Sequence, residues 1–347
     1  MPFRTRSGRI VLVTFALCLQ LLSSCVTTGT APGGTGMKEA EKKGQITPAF
    51  QSKDYILYEL EGGETPAKLA QQFLGDPGKY WVIEDNNEGV PYEKGQLIVI
   101  PVREEGKGGL TLEGYQKVPI LAYHTFGKAS KSRLSIPGHV FDQQMAYLKT
   151  NGYRVIRLSD LIDFLQLKKP LPKKAVVITI DDGYRSVYDI AYPILKKYGF
   201  TATLFIYTDF VGIPRSSLTW DHLREMKSVG FEVGSHTLSH CDLTKKRKGE
   251  GEKAYLRRVE KELVLSKKII DKKLQQDTIS LAFPYGAGNQ KVWDLCEKAG
   301  YKLALSVKRG GNPFFSNPFN LRRSQLLSGD LNYLIKNLDT FHNVSLR

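Results

Sequence analysis

The chain has 347 residues, of which 41% are hydrophobic and 24% are charged, and its formal net charge is +15 at pH 7. This composition is that of an ordinary globular protein and excludes a fibrous or wholly disordered chain. The length accommodates one large domain and a small module. The positive charge favours anionic surroundings, although a merely soluble basic surface is an equally good interpretation.

The first 24 residues have the pattern of an export signal, in which basic residues precede an apolar run. The apolar run, residues 10–22, is too short for a comfortable membrane span. The basic residues are Arg4, Arg6 and Arg9. The segment ends in Leu22-Ser23-Ser24-Cys25, which resembles the bacterial lipoprotein cleavage box, and this resemblance implies that Cys25 carries lipid.

We therefore expect an exported lipoprotein anchored in a cell-envelope membrane, facing the periplasm from the outer membrane. A plain secretory signal, or an uncleaved N-terminal anchor, remains open. Nucleic acid is not expected as a partner of an exported protein, so the basic charge favours an anionic envelope polymer or a lipid headgroup.

Residues 25–52 are rich in small and polar residues, so we expect a flexible tether. Residues 53–102 then predict a compact unit in the order β-α-α-β. Its strands are expected at 55–60 and 96–100, and its second helix around 79–86. Its first helix is expected to be capped by Thr65, with Pro66 at the first helical position.

This unit resembles a LysM module. The residues that carry the resemblance are Gly63-Glu64-Thr65, Leu69-Ala70, Phe73, Trp81, Ile83, Asn86 and the ending Gly95-Gln-Leu-Ile-Val-Ile-Pro101. LysM modules bind glycans that contain N-acetylglucosamine, so the resemblance implies that residues 53–102 bind peptidoglycan. A small packing domain without a ligand is the open alternative.

Residues 103–117 are charged and glycine-rich, which predicts a linker, and residues 118–347 predict an α/β domain. Seven apolar, β-branched runs in that domain predict strands. These runs are 118–123, 153–158, 175–180, 201–207, 231–235, 278–283 and 301–306. Four of them follow a glycine placed where a helix would end in a left-handed cap. These glycines are Gly152, Gly199, Gly230 and Gly300.

Most of the predicted strands are separated by helix-length amphipathic segments, and this alternation is typical of a parallel sheet. We therefore predict a distorted (β/α) barrel of about seven parallel strands, closed or nearly so. In such barrels the chemistry lies at the carboxyl ends of the strands.

Two carboxylates, Asp181 and Asp182, come directly after the buried strand 175–180. Because successive strand residues point to opposite faces, both acids can serve one site only if the strand bends, which Gly183 permits. Another strand runs into His236 and His240, two imidazoles four residues apart. Two histidines and a carboxylate are a ligand set for Zn²⁺, and Co²⁺ or Ni²⁺ also suits it. A divalent ion there would make a nucleophile from bound water.

Two more predicted strand ends carry candidate groups. The run Phe283-Pro284-Tyr285-Gly286 forms a rigid turn that can present a backbone amide, and His124 terminates the first strand of the barrel. Taken in order, these motifs resemble the polysaccharide deacetylase family with the NodB-type catalytic domain, over residues 118–325. The motifs are Thr179-Ile-Asp-Asp-Gly183, His236-Thr-Leu-Ser-His240 and Pro284-Tyr285-Gly286.

The resemblance implies a role for each motif residue. Asp182, His236 and His240 would be the metal ligands, and Asp181 the general base that takes a proton from metal-bound water. The backbone N–H of Tyr285 would stabilise the oxyanion.

The family usually takes the proton for the departing amine from a histidine late in the domain, and residues 320–327 contain none. The layout instead resembles the circularly permuted branch typified by the deacetylases of poly-N-acetylglucosamine, which implies that His124 is the general acid. A structural His124, with His342 or water as the proton donor, remains open.

Ala282 stands where many family members carry an arginine that pairs with the base, and Arg322 or Arg323 is expected to take that place. Substrate contacts are expected from Pro284, Trp293 and Arg323. Trp293, with Leu327, would line a pocket for the acetyl methyl group, although both residues suit the core equally well.

The sequence therefore predicts a metal-dependent hydrolase that removes N-acetyl groups from peptidoglycan, poly-N-acetylglucosamine or a chitin-like chain. The alternatives are an O-acetyl esterase of envelope polysaccharide, an inactive relative, and a non-catalytic lipoprotein that binds cell wall. Of the four cysteines, only Cys241 and Cys296 are left to pair after the signal and the lipid site, and both a disulfide and two buried thiols remain open.

Overall fold

The structure, a computed structural model, describes residues 48–103, 106–127, 132–327 and 331–344. The predictions for residues 1–24, for Cys25 and for most of the tether lie outside these ranges. Residues 47–347 group into one compact unit. In the ranges that the structure describes, no helix combines the length and the apolar character needed to cross a bilayer.

The predicted β-α-α-β order of residues 53–102 is confirmed. The elements are β1 Phe50–Gln51, β2 Tyr55–Glu59, α1 Pro66–Leu74, α2 Tyr80–Asn86 and β3 Leu97–Pro101. The three strands form an antiparallel sheet in the order β1-β2-β3. The Thr65 hydroxyl accepts a hydrogen bond from the Lys68 N–H at 3.3 Å, as expected of a helix N-cap. Because Phe50 and Gln51 pair with β2, the prediction that the tether extends to residue 52 was wrong.

The remaining elements follow in chain order. The strands are β4 Leu110–Thr111, β5 Gly114–Gln116, β6 Ile120–Tyr123, β7 Thr125–Gly127, β8 Ser135–Pro137, β9 Arg154–Val155, β10 Ala175–Ile180, β11 Thr203–Ile206, β12 Glu232–Ser235, β13 Ser280–Ala282, β14 Leu303–Leu305, β15 Ser324–Gln325 and β16 Phe341–Asn343. The helices are α3 Gly138–Thr150, α4 Asp160–Leu165, α5 Tyr192–Tyr198, α6 Trp220–Ser228, α7 Glu252–Leu274, α8 Gln290–Lys298 and α9 Leu331–Ile335.

The predicted parallel barrel sheet is confirmed. Its strands lie in the order β14-β13-β12-β11-β10-β6-β15, and β9 pairs with the first residues of β10. A parallel bridge between Leu305 and Leu321 brings the edge strand β14 to the segment that leads into β15, so the sheet curls back on itself. All seven predicted strands are present; β10 matches its apolar run of 175–180, the other six are shorter than their runs, and β15 is an additional strand.

The glycines predicted to end helices in the left-handed region do so. Their φ angles are 71° at Gly152, 69° at Gly199, 98° at Gly230 and 90° at Gly300. The prediction of a linker over 103–117 was wrong for its second half, because β4 and β5 form an antiparallel sheet with β16. Cys241 and Cys296 are both free thiols.

The barrel sheet is buried on both faces, as parallel sheets are. Val176, Ile178 and Ile180 of β10 belong to a core that includes helix residues such as Phe141 and Leu195. Val177 belongs to a second core, made largely of residues from the strands themselves. Alternate residues of β10 therefore face the two cores. Asp181 and Asp182 follow directly after the strand.

Candidate active site

The chain bends directly after β10, and the bend separates the two acids. Asp181 still follows the strand, since its N–H donates to the Tyr123 carbonyl at 2.9 Å. Asp182 and Gly183 then adopt left-handed backbone with φ of 73° and 83°. The bend predicted at Gly183 therefore begins one residue earlier, at Asp182. As a result, both acids can face one site although they are neighbours in sequence.

The structure brings together Asp182, His236 and His240, the three side chains expected to hold a metal ion. One carboxylate oxygen of Asp182 lies 3.5 Å from Nε2 of His236 and 3.3 Å from Nε2 of His240. One potential ligand atom from each residue lies within 4.8 Å of the other two. These side chains come from the ends of β10 and β12, which are both neighbours of β11 in the sheet.

The hydrogen bonds and charges of this group fit a divalent cation. Nδ1 of His236 lies 2.8 Å from the Ala282 carbonyl oxygen, a contact that places a proton on Nδ1 and leaves the Nε2 lone pair free. Burial raises the pKa of Asp182, but the interactions with His236 and His240 outweigh that effect and hold the pKa below its ordinary value. An ionised carboxylate and two imidazoles are donors that Zn²⁺, Co²⁺ and Ni²⁺ accept.

Asp181 forms a bidentate ion pair with Arg323, with N···O distances of 2.7 and 2.8 Å. The guanidinium also donates to the Ser306 carbonyl and the Thr179 hydroxyl. Arg323 is therefore the arginine that pairs with Asp181. From the sequence, either Arg322 or Arg323 was expected in this role. Because the Arg323 side chain is completely buried, its predicted role as a substrate contact was wrong.

The charge of Arg323 sets the protonation of Asp181. Burial raises the pKa of this carboxyl, but the charge and the hydrogen bonds of Arg323 hold the pKa below its ordinary value. Asp181 is consequently ionised in the folded protein and can accept a proton.

His124 lies at the end of β6, with Nε2 3.9 Å from a carboxylate oxygen of Asp181. Burial lowers the pKa of His124, and the charges of Asp181 and Asp182 only partly oppose that effect, so the imidazole is neutral at rest. Its Nδ1 is buried and has no hydrogen-bond partner in the part of the chain that the structure describes. His342, the alternative proton donor, lies on β16 with its ring against Tyr115, in a sheet separate from the barrel.

The predicted turn at Pro284–Gly286 is present, and its backbone is strained. Tyr285 has a φ of 59°, and its side chain is 68% exposed. The Tyr285 ring lies 5.0 Å from the His240 ring, so the turn borders the histidine group. Pro284 is buried in the same turn.

Trp293, the other predicted substrate contact, lies on α8 and packs against a core cluster that contains Phe283. One aromatic neighbour of the site was missed from the sequence. The Tyr207 ring lies 5.1 Å from the His240 ring, and Tyr207 is the last residue of the predicted strand 201–207. Its place at a strand end was the signal that could have identified it.

Comparisons with known proteins agree with this geometry. Residues 168–304 match the family profile described as polysaccharide deacetylase. YxkH of Bacillus subtilis, provisionally named as a polysaccharide deacetylase, is 30% identical over 237 residues, which cover 68% of this chain and 81% of YxkH. The poly-β-1,6-N-acetyl-D-glucosamine N-deacetylase of Staphylococcus aureus is 30% identical over 213 residues, which cover 60% of this chain and 73% of that protein.

Two solved structures share the fold. The deacetylase PplD of Streptococcus pyogenes, determined with acetate, has a TM-score of 0.59 and 29% identity, and the match covers 64% of this chain and 98% of PplD. IcaB of Ammonifex degensii has a TM-score of 0.58 and 26% identity, with 66% of this chain and 99% of IcaB covered. From the sheet, the strand-end residues and these similarities, we conclude that the chain belongs to the polysaccharide deacetylase family.

Proposed function

We propose that this protein is a metal-dependent hydrolase that removes N-acetyl groups from an N-acetylglucosamine-containing polysaccharide. The observation that carries the proposal is the meeting of two groups at the carboxyl ends of the strands. One is the metal-ligating set Asp182, His236 and His240. The other is the ionised base Asp181, paired with Arg323 and 3.9 Å from His124.

Asp182, His236 and His240 would hold the cation, for which Zn²⁺ is the best fit and Co²⁺ or Ni²⁺ would serve. When bound there, such an ion supplies Lewis acidity to the acetyl carbonyl and to water.

The remaining steps belong to side chains and backbone of this chain. Asp181 takes the proton of the attacking water, and Arg323 keeps Asp181 ionised until that moment. The backbone N–H of Tyr285 stabilises the negative charge that develops on the carbonyl oxygen. His124 delivers a proton to the departing sugar amine as the C–N bond breaks, which leaves acetate and a free amine. Since His124 is neutral at rest, the proton that it delivers must reach it during the reaction, and Asp181 is the adjacent source.

For the substrate, we propose poly-β-1,6-N-acetylglucosamine, peptidoglycan or a chitin-like chain. The name of the S. aureus relative supports the first of these. The β-α-α-β unit, with its LysM-like residues, supports an N-acetylglucosamine glycan more generally, and we propose that it binds peptidoglycan.

The proposal is tested by acetate release from three purified polymers, poly-β-1,6-N-acetylglucosamine, peptidoglycan and chitin oligomers. The assay is run with chelator, and again after Zn²⁺ or Co²⁺ is restored. We expect release from at least one polymer, loss of that release with chelator, and its recovery with metal. Failure to release acetate from all three polymers with metal present would contradict the proposal.

We also propose that residues 1–24 direct export, that Cys25 carries lipid, and that the protein is anchored in the cell envelope. The basis is the sequence Leu22-Ser23-Ser24-Cys25 after a basic and apolar segment. Metabolic labelling with a radioactive fatty acid tests this proposal. Wild-type protein should be labelled and Cys25→Ser should not, whereas equal labelling of both would contradict lipidation at this cysteine.

A further inference from the structure

The loop His236–His240, which supplies two of the three proposed metal ligands, has a costly backbone. Thr237 and His240 both lie in the left-handed region, with φ of 71° and 61°. Residues with a side chain adopt this region only where their surroundings impose it. The position of the His240 ring therefore depends on whatever holds this loop.

The backbone N–H groups of the loop show what holds it. None of them closes an ordinary backbone turn within the loop. The His236 N–H donates to the Ile206 carbonyl on β11 at 2.7 Å. The N–H of Thr237 donates to the Ser235 hydroxyl, and that of His240 to the Thr237 hydroxyl. The two N–H groups between them are held from outside the loop.

Both of those N–H groups bind one carboxylate, that of Glu262. Its Oε2 accepts from the Leu238 N–H at 3.0 Å and from the Ser239 N–H at 2.9 Å. Its Oε1 accepts from the Ser239 hydroxyl at 2.8 Å. Three donors thus converge on one side chain, so the carboxylate fixes two successive peptide units midway between the two histidines.

Glu262 is unusual for its place on α7. The side chain is 6% exposed and lies on the helix face that also buries Val259, Leu263 and Ser266. A carboxylate on such a face is costly unless its oxygens are satisfied, and here the loop satisfies them. The hydroxyl of Ser266, one helical turn later, lies 2.8 Å from that of Ser235, so α7 also contacts the residue directly before the loop.

We infer that Glu262 is a positioning residue that holds the His236–His240 loop in its metal-binding conformation. This inference rests on the proposed metal-dependent function. Without the carboxylate, the loop loses the partners of two peptide units, and the left-handed backbone at Thr237 and His240 relaxes. The His240 ring then moves away from Asp182, and the three ligands must be brought together again each time a cation binds.

The experiment measures binding of Co²⁺ alone to the metal-free full-length protein, by calorimetry and by the visible absorption of the bound ion. We expect Glu262→Ala to weaken Co²⁺ binding by about 10–100-fold, the range for residues that orient metal ligands. Glu262→Gln should retain most of the affinity, because its amide oxygen still accepts from both N–H groups and its NH₂ can donate to the Ser239 hydroxyl. The matched control is Glu260→Ala, on the same helix, where the native side chain pairs with Lys298 at the surface.

Wild-type affinity in a folded Glu262→Ala variant, or an equal loss in Glu260→Ala, would overturn the inference. If Glu262→Ala does not fold, Ser239→Ala tests the inference instead. This variant removes one of the three hydrogen bonds to Glu262 and should weaken Co²⁺ binding measurably. Unchanged affinity in Ser239→Ala would then overturn the inference. A wild-type protein that binds no Co²⁺ would instead contradict the proposed metal-dependent function.

Discussion

At the scale of single residues, the Asp181–Arg323 pair shows how a carboxylate is kept ionised inside a core. Both side chains are almost fully buried, and each charge is compensated by the other. Folding lowers the pKa of Asp181 below its ordinary value of 3.8. The pair therefore stabilises the folded state at pH above that value, and its contribution is lost as the pH falls through the lower, folded pKa.

We predict that Arg323→Gln raises the pKa of Asp181, because burial then acts without the opposing cation. The acid limb of the pH profile of kcat/KM should move to higher pH, since the base must be ionised. The variant should also lose about 3–5 kcal/mol of stability, as expected when one partner of a buried ion pair is removed. Both effects are measured by pH-dependent acetate release and by denaturant unfolding.

The neighbouring arginine provides the control for that change. Arg322 is exposed, and one of its guanidinium nitrogens donates to the Arg309 carbonyl. Arg322→Gln should leave the acid limb in place. If the acid limb is unchanged in Arg323→Gln, the ionisation that produces this limb is not that of Asp181.

A second prediction concerns His124. Replacing it with alanine should lower N-deacetylation by about 10²–10⁴-fold, because the departing amine loses its proton donor. Cleavage of an activated acetyl ester should fall much less, since that leaving group departs without a proton. The measurement compares both substrates on the same variant, with His139→Ala, an exposed histidine, as the control. Equal losses on ester and amide would contradict the assignment.

The residues of the site differ in how far the sequence could predict them. Asp181, Asp182, His236 and His240 were predictable because each follows an apolar run whose end is visible in the sequence. The choice between Arg322 and Arg323 was not predictable. The strand that follows them, β15, has only two residues, which is too short to show the alternation that would indicate which arginine is buried. Burial of Arg323 is decided by partners distant in sequence, Asp181 and Ser306.

At the scale of elements, the long apolar strands were predictable and the short strands were not. β10 contains six consecutive buried residues, so the strand is recognisable in the sequence as an apolar, β-branched run. By contrast, β15 and the β4-β5-β16 sheet lie in polar or glycine-rich segments and exist because they pair with other parts of the chain. Pairing of that kind depends on tertiary context, which a local pattern does not contain.

The β-α-α-β unit contacts the barrel through charges on α2. Arg154, on β9, donates to the carboxylates of Glu84 and Asp85 at 2.7 Å each. Lys173, just before β10, donates its N–H to the Asp85 carboxylate and its ammonium to the Asp85 carbonyl. A cavity of about 940 Å³ lies beside these contacts. These hydrogen bonds and ion pairs join α2 to the barrel at β9 and just before β10.

We predict that Arg154→Ala loosens this attachment. The loss should be about 1–3 kcal/mol, the range for hydrogen bonds to charged groups, and the segment 103–109 should become more sensitive to protease. Limited proteolysis and thermal unfolding measure the two effects. Arg157→Ala is the control, because Arg157 pairs with Asp160 within the barrel domain. Wild-type cleavage rates in Arg154→Ala would show that other contacts hold the unit.

At the scale of the whole molecule, the contact with the β-α-α-β unit and the proposed catalytic residues lie at opposite ends of the same strand. Lys173, which contacts the unit, precedes β10, and Asp181 follows it. Six strand residues span roughly 20 Å. The contact between Lys173 and the unit is thus separated from Asp181 by about this length of barrel.

The proposed metal site also makes a prediction about the stability of the whole fold. Its ligands come from the segments after β10 and β12, so a cation that binds only the native state must stabilise the sheet that holds them. At a metal concentration of about 100 times Kd, the stabilisation is about 2.7 kcal/mol. We predict a higher Tm with Zn²⁺ than with chelator, and no such difference in Asp182→Asn. Asp209→Asn, an exposed carboxylate on the neighbouring loop, should keep the wild-type difference. A metal-dependent Tm that survives in Asp182→Asn would place the stabilising cation elsewhere in the protein.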